Sequence, residues 1–385
     1  MHKIYLDNAA STPIHKEVIE AMAECMQNIY GNPSSPHIYG REARAKLELS
    51  RKKIAELLNV SSSEIIFTSC GTESNNLIIR SSVDFLGVTR IITSDLEHKC
   101  VKETVEEMKT VHNVEVLKVK VDKTGTIDYE DLEQKLKSSD KKTLVTLMHA
   151  NNEIGNLLDV ERVQKMCQEN KAYFHTDTVQ TMGHYSLDLK ALNLDFASCS
   201  AHKIYGPKGV GFAYIKKTIG FRPQITGGGQ ERNLRSGTEN VYGVVGLAKA
   251  FEMSIKDLEN HKNHIEELKK YTIEQLQTHI PEVKFNGLSA DLEKSLYTVL
   301  SVRLPFKDPL IGFELELKGI AVTQGSACSS GASKVSTVIE NLLTPEQIES
   351  TTPLRVSFSC YNTKEEIDSF VGVLKKISEK HLESA

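Results

Sequence analysis

Short apolar runs rich in β-branched residues alternate with amphipathic segments along the first part of the chain. The runs predict buried strands at EIIFTSC (64–70), RIITSD (90–95), TLVTLMH (143–149), AYFHTD (172–177), FASCSA (196–201) and VGFAYI (210–215). Segments with helical periodicity lie between them, as at 106–113 and 160–170. Buried strands that alternate with helices predict an α/β fold with a mostly parallel sheet. Ligands of such sheets bind at the carboxyl ends of the strands.

The pattern changes at about Val241. The segment 242–279 is charged and amphipathic, and it predicts one extended helix. Further on, short apolar runs return in SLYTVLSVRL (295–304) and PLRVSFS (353–359), with helical segments around them. This second pattern is typical of a smaller α+β domain.

These patterns together predict two tightly packed domains. The large α/β domain spans 13–258. We expect the smaller α+β domain to combine 1–12 with 259–385 and to carry a loop of small and polar residues at about 323–335, although by its pattern alone the N-terminal strand KIYLD could belong to either domain.

Composition narrows the functional classes. The chain has 385 residues, of which 39% are hydrophobic and 25% charged, as in an ordinary globular protein. A net charge of −4 gives no indication of nucleic-acid or membrane-surface binding. The sequence contains neither an apolar run of membrane-spanning length nor an N-terminal apolar signal segment, so we expect a cytoplasmic protein. The seven cysteines are scattered without a Cys-x-x-Cys pair, which predicts thiols, and we expect no metal site.

The segment SCSAHKIYGPKGVG (198–211) places Lys203 directly after a predicted strand. A lysine is usually a solvated surface residue, but in a water-poor pocket it can lose its proton and attack a carbonyl. Asp177 ends another strand, where it could cap a helix or pair with a protonated ring nitrogen. Gln180 lies one turn further on and could face the same pocket.

Other polar residues also follow strand ends. Gly71 and Thr72 stand between a strand and a helix, an arrangement that can hold a phosphate, although a plain turn has the same pattern. His98 could stack on an aromatic cofactor and move protons, or simply be structural. Asn152 offers a donor and an acceptor to a ligand, but asparagines are also common in loops.

Cys328 lies in TQGSACSSGAS (323–333), a run of small and polar residues that predicts an exposed loop. Its surroundings favour a reactive cysteine over an inert buried one. Arg355 begins a strand of the second domain and could bind a carboxylate with two hydrogen bonds. Arg235 and Thr238 lie in a glycine-rich loop. Most arginines are surface charges, so neither arginine is decisive alone.

Taken together, these residues resemble the NifS/IscS-type cysteine desulfurases of the class V aminotransferase superfamily, along nearly the whole chain. The matching motifs are YLDNAAST at the N-terminus, GNPSS (31–35), TESNNL (72–77), EHK (97–99), NNEIG (151–155), HTDTVQ (175–180), AHKIYGPKG (201–209), RSGT (235–238) and GSACSS (325–330). The resemblance implies the pyridoxal 5′-phosphate (PLP) fold type I. The number of residues between Cys328 and Arg355 along the chain is similar to that in the long-loop group I of these enzymes.

The resemblance also implies how the cofactor ring is held. Lys203 would hold PLP covalently, and Asp177 would pair with the pyridine nitrogen. Gln180 and Asn152 would lie near the ring hydroxyl. His98 would stack on the ring and help to transfer protons.

The same resemblance implies that the cofactor phosphate is bound by Gly71, Thr72, Ser200 and His202. Thr238 would reach the phosphate of the partner subunit. The site would therefore be completed in a homodimer.

For the substrate, the resemblance implies that Arg355 binds the carboxylate of L-cysteine with help from Asn152, and that Cys328 is the nucleophile. The expected activity converts L-cysteine to L-alanine and passes sulfur, as a Cys328 persulfide, to an acceptor protein such as an iron–sulfur scaffold. Two alternatives stay open: a selenocysteine or cysteine-sulfinate lyase of the same superfamily, and an inactive paralogue that binds a sulfur-transfer partner.

Overall fold

The computed structural model describes residues 3–324 and 335–383. Within them the strands are β1 (Ile4–Tyr5), β2 (Ile65–Thr68), β3 (Arg90–Thr93), β4 (Glu115–Lys118), β5 (Thr143–Thr146), β6 (Tyr173–Thr176), β7 (Phe196–Ser200), β8 (Gly211–Ile215), β9 (Lys284–Phe285), β10 (Val299–Leu304), β11 (Ile320–Ala321) and β12 (Thr352–Ser357). The helices are α1 (Lys16–Asn28), α2 (Ile38–Leu57), α3 (Gly71–Asp84), α4 (Lys99–His112), α5 (Tyr129–Lys137), α6 (Val160–Glu169), α7 (Gln230–Asn233), α8 (Val241–Lys256), α9 (Leu258–His279), α10 (Ile311–Leu317), α11 (Thr337–Leu342), α12 (Pro345–Ser350) and α13 (Lys364–Glu383).

A seven-stranded sheet in the order β2-β8-β7-β6-β5-β3-β4 forms the centre of the molecule. Strand β8 runs antiparallel to both of its neighbours, and the other pairings are parallel. The predicted α/β fold with a mostly parallel sheet is therefore confirmed. Each apolar run predicted as a strand forms one, whereas β4 was not predicted.

Helices cover both faces of this sheet because strands buried on both sides present apolar residues to each face. On one face Ile54 of α2 and Phe251 of α8 pack with Phe174 and Phe212 of the sheet. On the other face α3 and α4 pack their apolar sides against the sheet. The sheet is thus rigidly held, and the loops at its carboxyl edge are fixed in position.

The extended helix predicted over 242–279 is in fact two helices. Helix α8 ends at Lys256, and α9 begins at Leu258. Asp257 between them has φ −102° and ψ 14°, outside the helical range. The prediction was wrong because the amphipathic pattern continues on both sides of Asp257, and a break of one residue does not interrupt that pattern.

A second apolar core lies around the three-stranded antiparallel sheet β12-β10-β9. Strand β1 pairs in parallel with β11, and Ile4 and Leu6 belong to this second core. The predicted division of domains at residues 13 and 258 stays a prediction. In the part of the chain that the structure describes, no helix combines the length and apolar character needed to cross a membrane.

Candidate active site

A cavity of about 590 Å³ lies at the carboxyl edge of the large sheet. Ten of the residues predicted from the sequence line it: Gly71, Thr72, His98, Asn152, Asp177, Gln180, Ser200, His202, Lys203 and Arg355. They come together because β2, β3, β5, β6 and β7 end at the same edge, and β12 brings Arg355 from the second sheet. Cys328 lies outside the described residues. The roles of these residues stay predictions.

One end of the cavity has the features of a phosphate site. Helix α3 begins there at Gly71, and its N-terminal backbone N–H groups favour an anion. A Cβ atom on Gly71 would lie 2.4 Å from Val179 Cγ2, so a larger residue would force the valine side chain or the start of the helix to move. The buried Ser200 Oγ and His202 Nδ1 have no hydrogen-bond partner among the described residues. Buried polar atoms are normally hydrogen-bonded, so these two atoms indicate a ligand site, and a bound phosphate could form a hydrogen bond with each of them.

The ring of His202 is uncharged near neutral pH, because burial lowers the pKa of His202 to about 4, with nearby lysines adding to the effect. It therefore contributes to this end of the cavity as a neutral hydrogen-bonding group. Together with the start of α3, the site can hold the phosphate of PLP.

Asp177 is held in a fixed orientation by three donors. Its carboxylate accepts hydrogen bonds from Asn75 Nδ2 at 2.7 Å, from the Val179 backbone at 3.0 Å and from Ser198 Oγ at 3.3 Å. Asn75 is oriented in turn by His175, whose Nε2 lies 3.1 Å from Asn75 Oδ1. Such a carboxylate can pair with a protonated pyridine nitrogen, as the sequence predicts for Asp177.

Lys203 lies in the short turn that follows β7, and its amine reaches into the cavity. The amine donates hydrogen bonds to the carbonyl oxygens of Ala9 at 2.5 Å and Ala10 at 2.9 Å. Gln180 Nε2 donates to the same Ala9 oxygen at 3.1 Å. The N-terminal segment is therefore a wall of the site, and the sequence assigned no role to its Ala9 and Ala10.

His98 forms the N-cap of α4. Its Nδ1 accepts a hydrogen bond from the Cys100 backbone at 3.2 Å and lies 3.0 Å from Cys100 Sγ. Burial lowers the pKa of His98, while the Asp177 carboxylate opposes that effect. The neutral ring then carries its proton on Nε2, and this ring can exchange protons with a substrate near neutral pH.

Arg355 is almost fully buried, with 4% of its surface exposed. Its guanidinium donates to the Asn152 carbonyl oxygen and to Asp7 Oδ1, both at 2.9 Å. Its Nε has no partner in the described part of the chain. A guanidinium that is fixed on one side and unsatisfied on the other is suited to bind a carboxylate.

Sequence reasoning assigned no role to Glu97, which lies next to His98 in the EHK motif. Its Oε1 accepts hydrogen bonds from Ser94 Oγ at 2.9 Å and from the Met148 backbone at 3.1 Å. Its Oε2 is buried and has no partner among residues 3–324 and 335–383. Burial raises the pKa of Glu97 to about 8, so the side chain is a neutral acid at pH 7. The signal available in the sequence was an acidic residue shortly after the predicted strand at 90–95, within the EHK motif.

Thr238 and Arg235 do not line the cavity. Thr238 is exposed in the loop before α8. Arg235 pairs with Glu73 in the first turn of α3, with 2.8 Å between Nε and Oε1. Arg235 therefore holds its loop close to the phosphate end of the cavity, while Thr238 faces outward.

The chain on either side of Cys328 lies close to the cavity. Before it, Thr323 exchanges backbone hydrogen bonds with Arg355, at 2.8 and 3.2 Å. After it, Val335, Ser336 and Thr337 line the cavity. Thr323 is thus paired with Arg355, and residues 335–337 line the same cavity as Arg355 and Lys203.

Comparison with known proteins agrees with this geometry. The profile of the family "Aminotransferase class-V" matches residues 4–370. A cysteine desulfurase IscS of Dictyoglomus turgidum is 39% identical over 98% of this chain and 95% of its own, and that of Methanosarcina thermophila is 37% identical over 98% and 92%. A solved NifS-like protein superposes with a TM-score of 0.89 at 37% identity, over 98% of this chain and 99% of its own.

The chain therefore belongs to the class-V aminotransferases, a family of enzymes that depend on PLP. Within that family it groups with the cysteine desulfurases of the NifS/IscS type. The cavity fits this cofactor. The unsatisfied polar atoms of Ser200 and His202 suit a phosphate, and the oriented carboxylate of Asp177 and the amine of Lys203 line the same cavity.

Proposed function

We propose that this protein is a cysteine desulfurase that converts L-cysteine to L-alanine and transfers the sulfur through Cys328. The observation that carries the proposal is the convergence of Lys203, Asp177 and a phosphate-binding helix start on one cavity, at which both flanks of the Cys328 segment end. The relatives named as cysteine desulfurases support it.

When bound, PLP would supply an electron sink for the reaction. Lys203 would hold it covalently, Asp177 would pair with its ring nitrogen, and Gly71, Thr72, Ser200 and His202 would hold its phosphate. The residues of the chain bind the substrate and transfer the protons.

Arg355 binds the carboxylate of L-cysteine, with Asn152 beside it. Its fixed position orients the Cα–H bond toward the bases of the cavity. Lys203 and His98 are these bases, and they move protons at Cα and Cβ of the substrate. The lowered pKa of His98, caused mainly by burial, keeps its ring in the neutral form that can accept a proton.

In the sulfur-transfer step, the Cys328 thiolate attacks the sulfur of the bound L-cysteine. The Cβ–S bond breaks as the new S–S bond forms, so Cys328 becomes a persulfide. The electron pair of the broken bond stays with the substrate and is protonated at Cβ, which yields L-alanine. An acceptor protein, such as an iron–sulfur scaffold, then takes the terminal sulfur.

The test measures alanine formed from L-cysteine with a dithiol present, for the wild type, Cys328→Ser and Cys100→Ser. Cys100 is the control because it is a cysteine that lines the cavity, but burial raises its pKa to about 12 and makes it a poor nucleophile. We expect Cys328→Ser to bind PLP and form no alanine, and Cys100→Ser to remain active. Alanine formation by Cys328→Ser would contradict the proposal and favour a lyase.

We also propose that the protein acts as a homodimer in the cytoplasm, with Thr238 reaching the partner's phosphate site. The exposed Thr238 supports this, as do the exposed apolar side chains on α1 and α2, which include Ile19, Met26 and Tyr39. The test mixes Lys203→Ala chains with Thr238→Val chains. If Thr238 acts across the dimer, the mixed dimer contains one intact site with wild-type PLP affinity. If Thr238 acts within its own chain, no site in the mixture is intact.

A further inference from the structure

A cluster of metal-ligating side chains lies away from the catalytic cavity. His15, His261 and Cys360 each place a ligand atom within 4.8 Å of the other two. His15 precedes α1, His261 lies on α9, and Cys360 lies between β12 and α13. Three separate parts of the chain therefore meet here, and none of these residues has a role in the proposed reaction.

The side chain of His15 has the features of a metal ligand. Only 5% of its surface is exposed. Its Nδ1 is hydrogen-bonded to the Tyr361 hydroxyl, whereas its Nε2 has no partner within the described residues. In metal sites, a histidine commonly binds the ion through one nitrogen while a second group holds the other. The unsatisfied Nε2 is an observation that points to a ligand, since buried polar atoms are normally paired.

The other two residues complete a suitable donor set. The Tyr205 hydroxyl accepts a hydrogen bond from the Cys360 backbone at 3.1 Å and is also hydrogen-bonded to the Cys360 thiol. The His261 ring centre lies 6.0 Å from that of His15. All three residues line a depression of about 480 Å³, through which an ion can enter.

We propose that His15, His261 and Cys360 bind one Zn²⁺ ion. Two imidazoles and a thiolate are ligands that zinc prefers. Tetrahedral bonds of about 2.0–2.3 Å hold ligand atoms roughly 3.3–3.8 Å apart, so the cluster closes onto an ion by small side-chain rotations. The fourth position faces the depression and is open to water. The sequence predicted no metal because these ligands are far apart along the chain and form no spacing motif.

The ion would cross-link His15 before α1, His261 on α9 and Cys360 after β12. The same N-terminal segment supplies the Ala9 and Ala10 carbonyl groups that contact Lys203. The site is therefore structural and holds a wall of the catalytic cavity in place. This inference does not depend on the proposed reaction.

The test uses the PLP-loaded enzyme in a Cys328→Ser background, so that the catalytic cysteine cannot contribute a ligand. Zn²⁺ alone is added, and bound zinc is measured by equilibrium dialysis and calorimetry. We expect one zinc per chain in the parent and in the exposed control His112→Ala. The variants His261→Ala and Cys360→Ser should lose at least about 100-fold in affinity, and retained PLP absorbance shows that they are folded.

Cobalt substitution tests the ligands directly. Co²⁺ bound to the parent should give the intense visible bands of a tetrahedral thiolate site, and Cys360→Ser should lose them. Failure of the parent to bind zinc, equal affinity in parent and variants, or a six-coordinate cobalt spectrum would each overturn the proposal.

Discussion

Ionisation of the buried Glu97 carboxyl lowers the free energy of unfolding as the pH rises. The substitution Glu97→Gln should remove this pH dependence. The side chain is 3% exposed, and its Oε2 has no partner in the described parts of the chain. Glutamine has nearly the same shape as the neutral acid and can keep the hydrogen bonds that Oε1 accepts from Ser94 and Met148. The substitution therefore replaces an ionisable group by a permanently neutral one.

The magnitude follows from the pKa. Burial raises the pKa of Glu97 from 4.5 to about 8. Since one pKa unit corresponds to about 1.4 kcal/mol, the difference amounts to about 5 kcal/mol. The folded protein binds the proton more tightly than the unfolded chain, so the free energy of unfolding falls as the pH rises from 4.5 toward 8. Above pH 8 the loss is complete.

The assay is urea unfolding of the cofactor-free protein at several pH values between 5 and 9, for the wild type and Glu97→Gln. Cofactor-free protein is used so that release of PLP does not contribute. We expect the variant to gain stability relative to the wild type as the pH rises, with a total difference of several kcal/mol. Parallel curves for the two proteins would refute the reasoning, because they would mean that Glu97 ionises equally in both states.

Four further substitutions, one of them a control, have defined outcomes. Arg355→Lys should raise the KM for L-cysteine roughly 10- to 100-fold, since a hydrogen bond to a charged group is worth about 1.5–3 kcal/mol, and steady-state kinetics measure it. Arg51→Met should lower the free energy of unfolding in urea by about 3–5 kcal/mol, because it leaves the buried carboxylate of Glu231 without its ion-pair partner. As a control, Lys53→Met removes the more exposed ion pair with Glu252 and should lower it by less than about 1 kcal/mol. Gly71→Ala should weaken PLP binding in a fluorescence titration, because its Cβ would lie 2.4 Å from a valine methyl group and overpacking costs about 1–3 kcal/mol.

The sequence predicts much of the fold and site because both depend on local order. Strands β2, β3, β6 and β7 are short apolar runs, and each is followed by a polar residue that lines the cavity. A parallel sheet then brings these residues to one edge, so that Gly71, His98, Asp177 and Lys203 meet although they are far apart along the chain. For these residues, the topology alone converts sequence order into spatial proximity.

Other features depend on contacts that no local pattern records. The break at Asp257 leaves the periodicity of α8 and α9 intact, so it is invisible in the sequence. The carbonyl groups of Ala9 and Ala10 are backbone atoms of ordinary residues, yet they contact Lys203. Backbone positions of this kind become functional only through the fold.

The charge state of a side chain is the property least accessible from sequence. Glu97 and His98 are neighbours in one motif, but burial raises the pKa of the acid and lowers the pKa of the base, so both are neutral near pH 7. A reading of residue types alone would place an ion pair there. Desolvation favours the uncharged form of each side chain, and in the proposed reaction Asp177 would then pair with the ring nitrogen and Arg355 with the substrate carboxylate.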